Sequence, residues 1–136
     1  MRVRTNFVLL LGLLTCVGCS RGKSTDQLIQ DLDSAQEKDR IVAVRLLQLR
    51  EGDGAKVVPA LIKALKGKET DVRISAAIGL GYFGDQARDA IPALQEAEKD
   101  RDPRVREAAG VALSRIDPEK FSVPTSPTKP RAKQGT

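Results

Sequence analysis

Apolar residues in the middle of this chain recur at helical spacing, and the whole pattern repeats every thirty-three residues. The tripeptide Pro-Ala-Leu at 59–61 returns at 92–94. Three rows keep one residue type in every copy: Leu28, Leu61 and Leu94; Ala43, Ala76 and Ala109; and Leu47, Leu80 and Leu113. The alanine and second leucine rows lie four residues apart, on one face of a helix. These rows predict the core of three stacked helical pairs, in which each unit covers its neighbour's apolar face.

Each copy divides into two predicted helices. The first helices are predicted at about 25–35, 59–66 and 92–99, and the second at about 39–50, 71–83 and 103–116. Pro59 and Pro92 suit a first helical turn, where a missing N–H costs no hydrogen bond, and Asp102 is placed to cap a helix that begins at Pro103. The pattern predicts an all-α fold, a short α-solenoid over 25–117, with units at about 25–58, 59–91 and 92–117.

Two neighbouring segments resemble a known repeat. Gly-Asp-Gln-Ala-Arg-Asp-Ala-Ile-Pro-Ala-Leu at 84–94, followed by Asp-Pro-Arg-Val-Arg-Glu-Ala-Ala at 102–109, resembles the HEAT-like repeat of the phycobilisome-lyase type. The resemblance covers about 25–117 and implies a solenoid of three HEAT-like pairs. Because such repeats serve scaffolds, lyases and hydroxylases alike, the resemblance implies no single activity.

The N-terminus has the pattern of an export signal. Two arginines lie within 1–6, 7–18 is mostly apolar, and the chain turns polar from residue 20. A helix of this apolar length spans about 18 Å, short of the roughly 30 Å hydrocarbon core of a bilayer. The segment 1–18 is therefore predicted to be a removable signal peptide.

The residues that follow the apolar segment resemble the lipobox of bacterial lipoproteins. Val-Gly-Cys-Ser at 17–20 places small residues directly around Cys19. The resemblance implies that Cys19 is lipidated, becomes the mature N-terminus and anchors the protein to the cell envelope, on the periplasmic side if the source has two membranes. Cys16 stands where the family usually has leucine, and it is itself a rival site, although Thr15 precedes it. The stretch 19–24 would then be anchor and linker.

The net charge of +5 is concentrated at the ends of the chain. The residues between the two N-terminal arginines and the last three basic residues hold equal numbers of basic and acidic side chains. A nucleic-acid groove needs a concentrated basic surface, so the charge pattern argues against a nucleic-acid partner. The C-terminal stretch 118–136 is rich in Pro, Ser, Thr and Lys and is predicted to be a disordered tail.

Variable rows of the second helices give the candidate binding surface. Ile74, Ile78 and Tyr82 form an apolar strip at fourfold spacing in the middle copy. The predicted protein-binding residues are this strip and the polar residues that border it: Arg45, Gln48, Ile74, Ile78, Tyr82, Glu107 and Arg115. The alternative is that the three apolar side chains pack against adjacent repeats instead of binding a partner.

Arginine also repeats in register, at Arg40, Arg73 and Arg106. Three arginines in a row could bind anions. The resemblance to HEAT-type stacks implies a different role, because an arginine near the start of the second helix commonly bridges to acidic side chains or carbonyls of adjacent loops. We therefore expect a structural ladder.

The residue inventory argues against several kinds of catalysis. The chain has no histidine, so neither the His-Glu iron site of the HEAT-like hydroxylases nor a Ser-His-Asp or Cys-His arrangement can be carried over. We expect no enzyme, no cofactor and no metal, and predict a scaffold or adaptor that binds another protein. The alternatives are an accessory structural lipoprotein of an envelope complex, a cytosolic scaffold with an unprocessed N-terminus, and a bilin-lyase-like enzyme.

Overall fold

The computed structural model describes residues 22–121, which form six α-helices joined by short turns and by two 3₁₀ helices, Glu51–Asp53 and Gly84–Ala90. The helices are α1 (Thr25–Asp31), α2 (Glu37–Leu47), α3 (Gly54–Leu65), α4 (Thr70–Phe83), α5 (Ile91–Ala97) and α6 (Pro103–Ile116). They pack as three pairs, α1 with α2, α3 with α4 and α5 with α6, and α4 lies between α2 and α6. The predicted all-α solenoid of three helical pairs is confirmed.

The conserved rows of the repeat form the core. All nine side chains of the two leucine rows and the alanine row are buried, together with branched residues such as Val44, Val57, Val105 and Ile116. Identity is retained at these positions because each must fit the same narrow space between two helical pairs. The prediction of the core from the repeated rows is confirmed.

Helix starts show where local sequence decides the structure and where packing overrides it. The Asp102 side chain accepts a hydrogen bond from the Arg104 backbone N–H, and Pro103 lies in the first turn of α6, as predicted. Pro59, by contrast, was predicted in a first turn and lies inside α3, which begins five residues earlier. Its ring removes one helical hydrogen bond. Val57 and Val58, which precede the proline in the helix, are buried in the core, and this packing favours the earlier helix start.

Close approach of the second helices depends on two glycines of α4. A Cβ on Gly79 would lie 2.9 Å from Cγ of Gln48 in α2, and a Cβ on Gly81 would lie 3.1 Å from Cα of Ala112 in α6. These glycines lower intrinsic helix propensity, but any side chain at either position would separate the helices. The middle helix is therefore crowded on both sides.

Gly84 ends α4 in a conformation that favours glycine, with φ of 50° and ψ of −128°. Replacing Gly84 with alanine is expected to lower the free energy of unfolding by about 1–2 kcal/mol, because the backbone is strained for any L-residue. A Cβ there meets nothing within 4 Å, so the loss would come from the backbone alone. Urea unfolding measures it, with Gly52→Ala as the control at an equally open glycine. Equal losses in both variants would contradict the interpretation.

Several predictions fall outside the described residues. The signal peptide 1–18, the lipidation site Cys19 and most of the tail lie there. The first residues of the predicted tail are ordered, contrary to the prediction, because Phe121 packs against the core and its N–H donates to the Asp117 carbonyl at 2.9 Å. Among residues 22–121, no helix combines the length and apolarity that crossing a bilayer requires.

Candidate functional site

The second helices of the middle and last repeats enclose a surface groove of about 620 Å³, which we call the α4–α6 groove. Gly81 and Ala112, which lie against each other, line the groove. Ile78, Tyr82 and Val111 also line it and are 38%, 63% and 40% exposed. Much of the surface of these three apolar side chains therefore faces solvent within the α4–α6 groove.

Charged side chains line the groove together with the apolar ones. They are Arg45, Asp71, Arg104, Glu107 and Arg115. The Arg115 guanidinium lies 5.4 Å from the centre of the Tyr82 ring, within cation–π distance, and Arg104 lies 3.6 Å from the Asp71 carboxylate across the groove. Arg45 and Glu107 form no ion pair within the described part of the chain, so both charges are available to a partner.

Six of the seven predicted binding residues line this groove. Ile74 also packs partly against the core, so the packing alternative holds for this residue, whereas Ile78 and Tyr82 are exposed. Gln48 does not line the groove. Its side-chain amide donates to the Ser75 carbonyl at 2.9 Å and joins α2 to α4.

Sequence reasoning missed seven residues that line the groove, of which three have exposed side chains. Val111 occupies the same repeat position as Ile78, and this shared apolar row was the available signal. Asp71 and Arg104 also line the groove, at the start of α4 and of α6. They occupy the same repeat position with opposite charges, and this row was the available signal for their contact.

The first two of the repeated arginines connect loops between repeats. Arg73 is almost fully buried; its Nε donates to Asp100 Oδ2 at 2.8 Å, its Nη2 to Asp100 Oδ1 at 3.1 Å, and its Nη1 to the carbonyls of Gly67 and Lys68. Arg40 donates in the same way to the Ser34 carbonyl and to Glu69. Each guanidinium thus bridges its own repeat to the acidic residue of the next.

The last arginine of the row differs because no repeat follows it in the described residues. Arg106 donates only to the carbonyls of Asp100 and Arg101, at 2.9 Å and 3.3 Å, and is exposed. With the first two guanidinium groups occupied by protein acceptors, the row has the geometry of a structural ladder. No cluster of three or more potential metal ligands occurs within residues 22–121.

Comparison with known proteins supports the fold. The family model described as HEAT repeats matches residues 58–125. Nineteen chains of solved structures match, among them one from the complex of CpcE and CpcF of phycocyanin lyase from Nostoc sp. PCC7120. The identity is 27%, the TM-score is 0.64, and the match covers 74% of this chain and 40% of that chain. No curated protein matches.

The comparison corrects one prediction. The expectation of no enzymatic role is wrong, because a solved structure similar to this chain belongs to a phycocyanin lyase, an enzyme. The expectation rested on the missing histidine, which excludes only mechanisms that need an imidazole. The missing histidine does not exclude a subunit that contributes to an enzyme only through binding. The chain spans less than half the length of the lyase chain it matches.

Proposed function

This chain belongs to the HEAT-repeat family, and on that basis we propose that it binds another protein through the α4–α6 groove while a lipid on Cys19 holds it to the cell envelope. The single observation that carries the binding proposal is the groove itself. Exposed Ile78, Tyr82 and Val111 lie at its centre, and charged side chains surround them. Apolar and aromatic anchors within a polar rim are the usual anatomy of a protein interface.

The charges of the groove indicate the chemistry of its partner. Arg45 and Glu107, which form no ion pair among residues 22–121, line the groove, one contributed by α2 and the other by α6. A partner segment that presents an apolar side chain to Ile78 and Tyr82, with both an acidic and a basic residue nearby, would match the rim. Such a mixture favours a folded protein surface or helix over a uniformly charged polymer.

The solved structure that this chain resembles supports a protein partner, since it is a complex of CpcE and CpcF. The similarity covers most of this chain, so a surface of the shared fold is available here as well. On this basis we propose that this chain also assembles with a second protein. We do not propose the lyase's substrate for this chain, because the match covers only 40% of the lyase chain.

The proposed anchor rests on the lipobox-like sequence around Cys19 and on the apolar segment before it. Several acyl chains on one residue hold a protein to a bilayer far more firmly than one chain. The test is the intact mass of the mature protein extracted from membranes. We expect a mass that begins at an acylated Cys19, and an unmodified full-length chain in the soluble fraction would contradict the anchor.

Replacing Ile78 with aspartate tests the groove. A charge in the apolar centre of an interface should weaken capture of the partner by at least about tenfold, a typical cost for a central anchor. Because Ile78 is partly exposed at the surface of α4, helical circular dichroism and thermal melting are expected to stay close to the parent values. Capture is measured by affinity purification from detergent-solubilised membranes of the producing cells, and the retained partner is identified by mass spectrometry.

The matched control is Gln95→Asp, which places the same charge at an exposed residue of α5 outside the groove. We expect this variant to capture the partner like the parent. Equal capture by the parent and the Ile78 variant would contradict binding through the groove. Loss of folding in the Ile78 variant would assign this residue to the core.

A further inference from the structure

The first repeat has an exposed apolar face that the groove does not use. Val42, Leu46 and Leu49 are 54%, 39% and 75% exposed and lie four and three residues apart. This spacing places them on one side of α2 and its C-terminal turn, and we call them the α2 stripe. Three large apolar side chains at one end of a small fold form a patch that is unusual for a surface with no role.

The position of Leu46 is covered in the other second helices. One repeat later, Gly79 replaces Leu46 and contacts Gln48 of α2. Two repeats later, Ala112 occupies the position and contacts Gly81 of α4. The Leu49 position differs, because its equivalent Tyr82 is exposed in the groove. At the Leu46 position α4 and α6 therefore pack on the preceding repeat, and no preceding repeat exists for α2 within residues 22–121.

The residues of the α2 stripe are not suited to continue the stack. Within the stack, glycine and alanine at this position let two helices approach closely. Val42 and Leu46 carry branched side chains where α4 has Ser75 and Gly79. A further helix could not approach α2 in the way that α2 approaches α4. The branched side chains of the stripe therefore fit a fluid apolar environment better than close packing against another helix of this kind.

The start of the described chain lies beside the α2 stripe. Nη2 of Arg50, the residue after Leu49, donates to the Lys23 carbonyl at 2.8 Å. Cys19 precedes Lys23 by four residues, and four residues reach at most about 14 Å. A lipid on Cys19 would therefore enter a bilayer close to Leu49.

Basic residues flank the stripe at both ends. Lys38 lies one turn before Val42, and Arg50 lies one turn after Leu46. The acidic residues of the neighbouring α1 segment are paired with lysines: Asp26 with Lys56 at 3.0 Å, Asp31 with Lys23 at 2.7 Å and Asp33 with Lys63 at 2.7 Å. These pairs reduce the repulsion that an anionic surface would meet at this end of the fold.

We propose that the α2 stripe lies on the surface of an anionic lipid bilayer, so that the first repeat of the solenoid contacts the membrane next to the lipid anchor. The proposal rests on lipidation of Cys19. Val42, Leu46 and Leu49 would enter the boundary between headgroups and acyl chains, while Lys38 and Arg50 extend toward the phosphates. The repeats that carry Ile78 and Val111 then extend away from the membrane.

The test places a fluorescent probe on the stripe of the acylated full protein. Leu49→Cys is labelled with a thiol-reactive fluorophore and reconstituted into vesicles of phosphatidylethanolamine and phosphatidylglycerol with nitroxide-labelled acyl chains. The matched control is Val111→Cys, another exposed apolar residue, in the third repeat. An acylated Cys19 offers no free thiol. We expect the nitroxide to quench the probe at position 49 and not at position 111.

Equal emission changes at positions 49 and 111, or none at either, would overturn the bilayer contact. Emission at position 49 that changes with protein density and is insensitive to the nitroxide would assign the stripe to a second copy of the chain and also overturn it. Helical circular dichroism checks the fold, and Val42→Cys replaces a Leu49 variant that does not fold. The intact mass of each sample separates the two proposals: an acylated protein with an unquenched probe contradicts only the bilayer contact, whereas a mass without acyl chains contradicts both.

Discussion

Replacing Asp100 with alanine is expected to lower the free energy of unfolding by about 3 kcal/mol, because it leaves the buried guanidinium of Arg73 without its charged partner. Arg73 is 5% exposed, and the Asp100 side chain is 14% exposed. Two hydrogen bonds join the pair, and a third joins Asp100 Oδ1 to the Asp102 N–H at 2.9 Å. The carbonyls of Gly67 and Lys68 still accept from Arg73, which keeps the loss near the lower end for a broken buried pair.

Urea unfolding of the parent and the Asp100 variant measures this loss. The matched control is Asp85→Ala, which breaks an exposed pair with Arg88 at 3.0 Å and should leave the stability nearly unchanged. Similar stability of the two variants would contradict a stabilising role for the Arg73 ladder. Arg73→Met combined with Asp100→Ala should cost less than the two single changes added together, because the pair is coupled.

The same pair gives the fold a dependence on pH. The hydrogen bonds from Arg73, helped by the Asp102 N–H, hold the pKa of Asp100 below its ordinary value, although burial opposes the shift. A carboxyl with a lowered pKa in the folded state stabilises the fold above its unfolded pKa and loses this contribution as pH falls through the folded pKa. We expect the parent to lose stability below about pH 4, and this acid loss should be smaller in Asp100→Ala. Identical acid transitions would contradict the assignment.

Replacing Leu80 with alanine is expected to lower the free energy of unfolding by about 3 kcal/mol. Leu80 is fully buried in α4, the helix between α2 and α6. Truncation there opens a cavity that the crowded helix cannot collapse, because Gly79 and Gly81 already lie against their neighbours. Thermal melting is the measurement, and a fall of more than about 10 °C is expected for a fold of this size.

The control for this cavity is Ile78→Ala, two residues earlier on the exposed side of the same helix. We expect a loss of about 1 kcal/mol there, since much of the side chain is already in water. A Leu80 variant that melts like the Ile78 variant would mean that the repeated leucine row is not the centre of the core.

The repeat itself explains how much of the fold was predictable. A residue type that is retained in all three copies occupies an equivalent environment in each of them. The core positions Leu47, Leu80 and Leu113 could therefore be predicted without a structure. Pro59 was misplaced because its local signal favours a helix start, whereas burial of Val57 and Val58 favours an earlier one. Packing was the stronger influence on that helix.

The candidate site was predictable in part. Variable rows identify the side of a helix away from the core, and Ile78 and Tyr82, selected in this way, both line the α4–α6 groove. The same rows cannot separate a side chain that faces the groove from one that reaches the neighbouring helix, as Gln48 does, because the difference depends on the offset between helices. The α2 stripe was missed because repeat comparison assumes equal neighbours, and the first repeat has none before it in the described residues.

Binding of another protein in the α4–α6 groove is tested most directly by cross-linking from the groove in living cells. A photoreactive p-benzoylphenylalanine replaces Tyr82 in the full chain, and the control places it at Gln95, an exposed residue of α5 outside the groove. We predict one discrete protein adduct from position 82, none of that size from position 95, and loss of the adduct when Ile78→Asp is added. The same adducts from both positions, or an adduct from position 82 that survives the Ile78 change, would contradict binding through the groove.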